Sequence, residues 1–358
     1  MIFPAEAQAA IDGKAKPPGS LGTLEEWGVR LSVLQGTLSP KVTDGVLVVF
    51  AADHGVTEMG VSPYPSSVTR SIFRSLVSGG AAGAVLARSA GVDVDVVDVG
   101  VKDPIDGDPC ASKGGRDMKI KAGTGNIARG PAMTVSECRR AMEAGAEVVT
   151  RHASKMSETG LAIMLGEVGI GNTTSSAALL SALTGATPTE TCGRGTGLDD
   201  KGVARKVAVV EEALALHQAA VTSGDGFKIL SALGGLETAA LVGAMLQAWE
   251  LRLPVLVDGF TVTTAATVAL RISPGRSVQG CLFLATRSAE KGFAIAAGAL
   301  RQEEGEQGEG GEAPAMRPAL DMGLRLGEGT AGAVLAYNIL KGAADIMSSM
   351  VSLEDALA

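Results

Sequence analysis

Between Gly45 and Ala52 the chain reads Gly-Val-Leu-Val-Val-Phe-Ala-Ala, with no polar side chain, and then breaks on Asp53-His54-Gly55. A strand with apolar residues on both faces must be covered on both, as parallel strands of α/β sheets are. The theme returns along the chain. Strand-like runs lie at Val92–Val101, Leu161–Leu165, Pro254–Asp258 and Gly280–Ala285. Helical spacing marks Ser66–Leu76, Gly80–Ala90, Thr174–Leu183, Val203–Leu216, Leu236–Leu246 and Thr263–Leu270 between them. The alternation predicts an α/β fold: a three-layer, Rossmann-like, mainly parallel sheet with helices on both faces. Further helices are expected within residues 1–15, around Leu24, Trp27, Leu31 and Leu34, and over Thr330–Met350 as one long helix or two shorter ones.

At 358 residues the chain suits about two domains, or one large α/β domain with additions. Glycine fills 48 positions, about twice the usual share of roughly 7%, which fits many tight strand–loop–helix junctions. Aromatics are only 3%. The core must therefore be built from Ala, Val, Leu and Ile, and platforms for stacking nucleobases are few. The formal charge of −8, from 39 acids and 31 bases, argues against a nucleic-acid partner. Part of the acidic excess is local. Glu303, Glu304, Glu306, Glu309 and Glu312 fall in a low-complexity run at 302–313, which is expected to be a solvated loop.

Cys110, Cys138, Cys192 and Cys281 are scattered, with no CxxC pair and no histidine at ligand spacing. Neither a disulfide framework nor a structural zinc site is expected, and the thiols read as small apolar side chains in a reducing compartment. The N-terminal segment lacks a signal peptide's apolar core, and no uninterrupted apolar stretch reaches the roughly 18 residues of a membrane span. A cytoplasmic protein is expected, or an organellar one if a transit peptide has been removed.

Ligands of such sheets bind beyond the carboxyl ends of the strands, so the segment after each strand carries the information. Gly166-Glu167-Val168-Gly169-Ile170-Gly171-Asn172-Thr173-Thr174 lies between a strand and a helix. It offers either an anion cradle at a helix start or a tight turn capped by Thr173 or Thr174. It is neither a P-loop nor a dinucleotide fingerprint. A second glycine-rich loop, Gly193–Asp200, precedes the helix carrying Arg205 and Lys206. Lys206 is either a phosphate ligand or a solvated surface residue. Asp53-His54 ends the first strand, as a site or as a structural pair; His152 and His217 are isolated and read as structural. Glu328, between Gly327 and Gly329 at a helix start, is either held ionised by the helix dipole or raised by an apolar pocket into the range of a general base.

Taken together, these segments resemble one family: the nicotinate-nucleotide–dimethylbenzimidazole phosphoribosyltransferases. The matching stretches are KPPGSLGTLE (16–25), ADHGV (52–56), GVSPYPSSVTR (60–70), GEVGIGNTTSSAAL (166–179), GRGTGLDDKGVARK (193–206), ALGGLE (232–237), VDGF (257–260) and LRLGEGTAGA (324–333). They run nearly end to end in the family's order. The resemblance implies transfer of the phosphoribosyl group of nicotinate mononucleotide to dimethylbenzimidazole or a similar base. No metal or other cofactor is implied, because a pyridinium is already a good leaving group and no pyrophosphate departs.

The resemblance also implies roles. Glu328 would be the general base and Glu167 a second active-site acid. Gly169, Gly171 and Asn172 would lie beside the nucleotide, and Gly195, Thr196, Gly197 and Lys206 on its phosphate side. Ser66 would line the benzimidazole pocket, with Val168 and Leu326 as apolar walls. Arg74 stands where the family often carries Gln, and Thr286 where a His is expected, so a purine or phenolic acceptor is an alternative. The family pattern further implies a homodimer, with a small helical domain formed by residues 1–38 and 331–358 around a large nucleotide-binding domain at 39–330. Two other readings rank lower. A non-catalytic nucleotide-binding protein would have no use for both acids, and a dehydrogenase would follow its first strand with GxGxxG rather than Asp-His-Gly.

Overall fold

The apolar run becomes the middle of the sheet. In a computed structural model that describes residues 2–104, 115–155, 160–274, 278–300 and 316–358, β1 (Asp44–Ala52) is buried from Val46 onward. It pairs in parallel with β2 (Asp93–Gly100) on one side and β4 (Leu161–Val168) on the other. With β3 (Gly115–Asp117), β5 (Val255–Val257) and β6 (Leu282–Leu284), the order is β3-β2-β1-β4-β5-β6, every pair parallel. The chain builds outward from β1 to β3, then returns to β1's other side. Strand order therefore reverses between β1 and β4, and such a switch point opens a crevice beyond the strands' carboxyl ends. Register sets Phe50 beside Glu167 and Ala51 beside Val168 there.

The sequence-based boundaries shift in one place that matters. Gly166, Glu167 and Val168 belong to β4, not to the following turn, and the next helix starts at Asn172 (Asn172–Thr184). The pattern also passes over β3 and the helix Val135–Ser154. β3 is a three-residue edge strand, too short to show periodicity. The helix carries a capping box as its signal, in which Thr134 and Glu137 bond each other's backbone N–H. The low-complexity run at 302–313 and Cys110 lie outside the described residues.

Helix Val135–Ser154 meets helix Leu236–Glu250 at a contact that admits no side chain on either glycine facing it. A methyl on Gly145 would lie 1.9 Å from Ala240 O, and one on Gly243 1.9 Å from Met142 O. At the other side of the molecule the terminal helices Pro4–Asp12, Thr23–Gln35 and Ala331–Ser349 come together. Ala7, Ile11 and Met347 form a small separate apolar cluster, and the backbone of Lys14 bridges to that of Ser352. Trp27 packs edge-on against Phe283 of β6 with ring centroids 5.3 Å apart, while Val334 and Leu340 join the main core. Cys138, Cys192 and Cys281 are buried and unpaired. Among the described residues, no helix is long and apolar enough to cross a membrane.

Because the helix contact is backbone against backbone, neither partner can yield by changing rotamer. Gly145→Ala is expected to destabilise the fold by about 1–3 kcal/mol or more, the scale of overpacking, read as a lower urea midpoint. A midpoint equal to that of the parent would show that the two helices separate freely.

Candidate functional site

Glu167 points into the crevice from the end of β4 and is 4% exposed. Its carboxylate accepts a short hydrogen bond from Asn172 Nδ2, and Asn172 Oδ1 in turn accepts from Thr173 N at 2.7 Å. Burial, then the neighbouring Glu237 carboxylate, push the Glu167 carboxyl up to about 8, against the lowering pull of Asn172 and His54. The Gly169–Gly171 turn that follows is pinned by Ile170 N donating to Thr69 Oγ1 at 3.0 Å. Gly171 takes φ +99° as it opens the helix.

Glu328 arrives at the same place from the far end of the chain. Its backbone N–H donates to Glu167 O at 2.9 Å. A methyl on Gly166 would lie 2.3 Å from Gly329 N, so the loop rests directly on β4. Glu328 adopts φ +68°, a left-handed conformation that costs a non-glycine residue about 1–2 kcal/mol. Strain of this kind clusters at functional sites. The side chain is buried, with Oε2 3.5 Å from Gly83 N in the first turn of helix Ala82–Ser89. The helix dipole that meets this carboxylate therefore comes from a different helix than its own. Burial outweighs it and raises the carboxyl above its ordinary range, with the Gly83 N–H pulling the other way.

Lys206 is wholly buried rather than solvated. Its Nζ donates to Thr173 Oγ1 at 2.8 Å and to Gly193 O at 3.4 Å. Burial lowers its pKa, with Cys192 and Glu290 acting the other way. No carboxylate lies within ion-pair distance of it among the described residues. A buried ammonium that meets only a hydroxyl and a carbonyl suits an anion arriving beside it. Gly195 and Gly197 hold φ +52° and +118°. Thr196 and Gly197 are exposed, Gly195 is buried, and Gly195 O accepts from Arg325 Nη1 at 3.0 Å. That bond ties this loop to the segment that carries Glu328.

The remaining sequence-derived positions are gathered less tightly. Ser66 stands just before helix Ser67–Val77 without a capping hydrogen bond, half-buried, with Oγ 3.1 Å from Thr57 Oγ1. Thr57 itself touches the Gly171 turn. Val168 is buried, whereas Leu326 is 53% exposed and Arg74 is exposed on helix Ser67–Val77. Among the described residues, no cluster of three or more His, Cys, Asp or Glu could hold a metal ion.

Sequence reading missed Glu237, although its motif was on the page. An acid in the first turn of the otherwise apolar stretch Leu236–Leu246 has no water to face, and that was the available signal. Glu237 is fully buried, 3.0 Å from His54 Nε2. Thr173 and Arg325 were also missed as partners of Lys206 and Gly195.

A family model described as phosphoribosyltransferase matches residues 3–357. A protein of Dechloromonas aromatica named nicotinate-nucleotide–dimethylbenzimidazole phosphoribosyltransferase is 40% identical over 349 residues, which is 98% of this chain and 93% of its own. One of the same name from Azotobacter vinelandii is 42% identical over 341 residues, 95% of this chain and 90% of its own. The crystal structure of CobT from Thermus thermophilus superposes with a TM-score of 0.86 at 38% identity, covering 99% of this chain and 98% of that one.

The Glu167 environment has a stability consequence with a definite sign. Folded, the carboxyl keeps its proton to about pH 8, whereas an unperturbed glutamate releases it near 4.5. The folded state thus binds the extra proton between those values, and stability falls as pH rises through that window. Glu167→Gln should therefore melt higher than the parent above pH 8, with the difference closing toward pH 4.5. A pH-independent difference in melting temperature would contradict the assignment.

Proposed function

The chain belongs to the nicotinate-nucleotide–dimethylbenzimidazole phosphoribosyltransferase family, and on that premise we propose that it moves the phosphoribosyl group of nicotinate mononucleotide onto dimethylbenzimidazole or a similar base, releasing nicotinate, with Glu328 as general base. One observation carries the reading of the base. A single glutamate is held in a strained backbone conformation, buried, at the switch-point crevice, and its proton affinity is raised by that burial.

The chemistry follows from the groups present. One ring nitrogen of the acceptor attacks C1′ with its lone pair. The C1′–N bond to the pyridinium breaks, and its electron pair neutralises the departing nicotinate nitrogen. The product would remain a cation unless the acceptor's second nitrogen gave up its proton, and Glu328 accepts it. Desolvation makes that carboxylate a stronger base than one in water. Glu167, on the strand against which the Glu328 loop rests, faces the positive charge of the pyridinium and of the sugar as the bond breaks. Lys206, with the Gly195–Gly197 loop, takes the 5′-phosphate. The Gly169–Asn172 turn passes beside the nucleotide, and Ser66, Val168 and Leu326 border the flat acceptor. A benzimidazole is the acceptor favoured here, since the family's names carry it.

Replacing Glu328 with Gln removes the base and keeps the shape. Turnover should drop by about 10²-fold or more with nucleotide affinity nearly unchanged, and the acid-side decline of kcat in the parent should disappear in the variant. Near-normal turnover would take Glu328 out of the base role. Lys206→Met should weaken nicotinate mononucleotide binding by about tenfold or more, the scale of a lost charge-assisted hydrogen bond, while sparing acceptor affinity. Equal losses for both ligands, by calorimetry, would contradict the phosphate assignment.

A further inference from the structure

Behind Glu167 lie a buried imidazole and a second buried carboxylate that the transfer as described does not use. His54 follows β1 and runs beneath the Gly169–Gly171 turn. A methyl on Gly171 would lie 3.1 Å from His54 Cβ, and one on Gly169 3.5 Å from His54 Cδ2. Its Nε2 stands 3.0 Å from Glu237 Oε1, and the two side chains are 1% and 0% exposed. Glu237 Oε1 also accepts from the Thr238 hydroxyl at 2.9 Å. Glu237 Oε2 has no hydrogen-bond partner among the described residues.

A wholly buried ion pair is weak as a stabiliser, because the lost hydration of both ions offsets their attraction, and apolar replacements often serve as well. Its effect on neighbouring charge is larger, since low dielectric carries that effect further. The groups whose charge or hydrogen bonding acts on Glu167 are Glu237 from helix Leu236–Glu250, His54 from the loop after β1, Glu328 from the segment before helix Ala331–Ser349, and the Asn172 amide from its own turn. Those facing His54 are Glu237, Asp53 and Glu167. Among these groups, His54 is the one potential cation.

We propose that His54 and Glu237 are positioning residues for the phosphoribosyl transfer: as imidazolium and carboxylate they cancel behind β4, so that Glu167 can become a carboxylate when the nucleotide's positively charged pyridinium ring binds in front of it. This rests on the reading of Glu167 as the acid that faces the nucleotide. Without the imidazolium, the bare Glu237 charge repels a second negative charge on Glu167. Without Glu237, that repulsion is gone. Remove both, and the balance returns. The burial that keeps Glu237 from water gives the pair its reach.

The test is calorimetric binding of nicotinate mononucleotide across pH, with no acceptor present, so that proton transfer to Glu328 plays no part. In the parent, binding tightens as pH rises through Glu167 ionisation. His54→Gln should move that rise upward by about one pH unit, read as roughly tenfold weaker binding on its acid side. Glu237→Gln should move it downward, and the double variant should return it close to the parent's position. In a Glu167→Gln background the His54→Gln shift should vanish.

Parallel losses of affinity with an unmoved pH profile would mark the pair as structural and overturn the proposal. A His54→Gln shift that survives in the Glu167→Gln background would overturn it too, because the pair would then act on another group. A Glu167→Gln enzyme that binds the nucleotide with the parent's full pH dependence would instead overturn the reading of Glu167. If His54→Gln does not fold, Glu237→Gln alone decides, since its expected shift has the opposite sign to any general weakening.

Discussion

The hydrogen bond from Glu328 N to Glu167 O joins two parts of the chain that lie far apart in sequence. One is the last residue but one of a central strand. The other belongs to the segment just before the final long helix. Gly166 makes the contact possible, because any side chain there would strike the Glu328–Gly329 backbone. The separation of the two acids is therefore set by main chain against main chain, with little dependence on flexible side chains. A site whose working groups are fixed in this way loses little to reorganisation when charge develops within it.

The electrostatics follow from where that contact lies. The parallel order reverses beside it, so the crevice is walled by strand ends and apolar helices, and both carboxyls lose hydration. Burial is the leading cause of both upward shifts. The same dryness acts on Lys206 with opposite sign. One wall of the crevice thus presents acids that hold protons more tightly than in water, and another an ammonium that holds its proton less tightly. Burial thus moves all three groups toward their neutral forms, the two acids by raising their proton affinity and the ammonium by lowering its own.

Much of this was legible in the sequence, for identifiable reasons. The Gly45–Ala52 run had to be a covered strand, and its Asp-His-Gly ending placed His54 at the carboxyl edge. The glycine-rich segments around 166–174 and 193–197 are near the crevice because loops at the strand ends need them there. Other features were not legible. Lys206 looks like any lysine on a helix, and only the packing of Thr173 and Gly193 around it shows that it is buried. Glu167 looked like part of a turn because Gly166 resembles a turn residue, whereas Gly166 is needed for close approach within a strand. The left-handed backbone at Glu328 has no sequence signature, since a non-glycine residue rarely adopts it and glutamate is not among those enriched there. The partnership of His54 with Glu237 depends on bringing the end of β1 beside a helix start far along the chain, and no local pattern encodes that.

The docking of a late helix on an early one has a bearing on how the protein is made. Helix Ala331–Ser349 docks against the early helix Thr23–Gln35, and Leu353 N donates to Gly13 O. During synthesis, the sheet and the loops around Lys206 emerge well before the segment that carries Glu328. A chain still held on the ribosome can bring Thr173 and Gly193 around Lys206 while the loop that carries Glu328 has yet to be made. Glu328 reaches β4 in company with helix Ala331–Ser349, so its approach comes late in synthesis, when that helix returns to the helix at Thr23–Gln35.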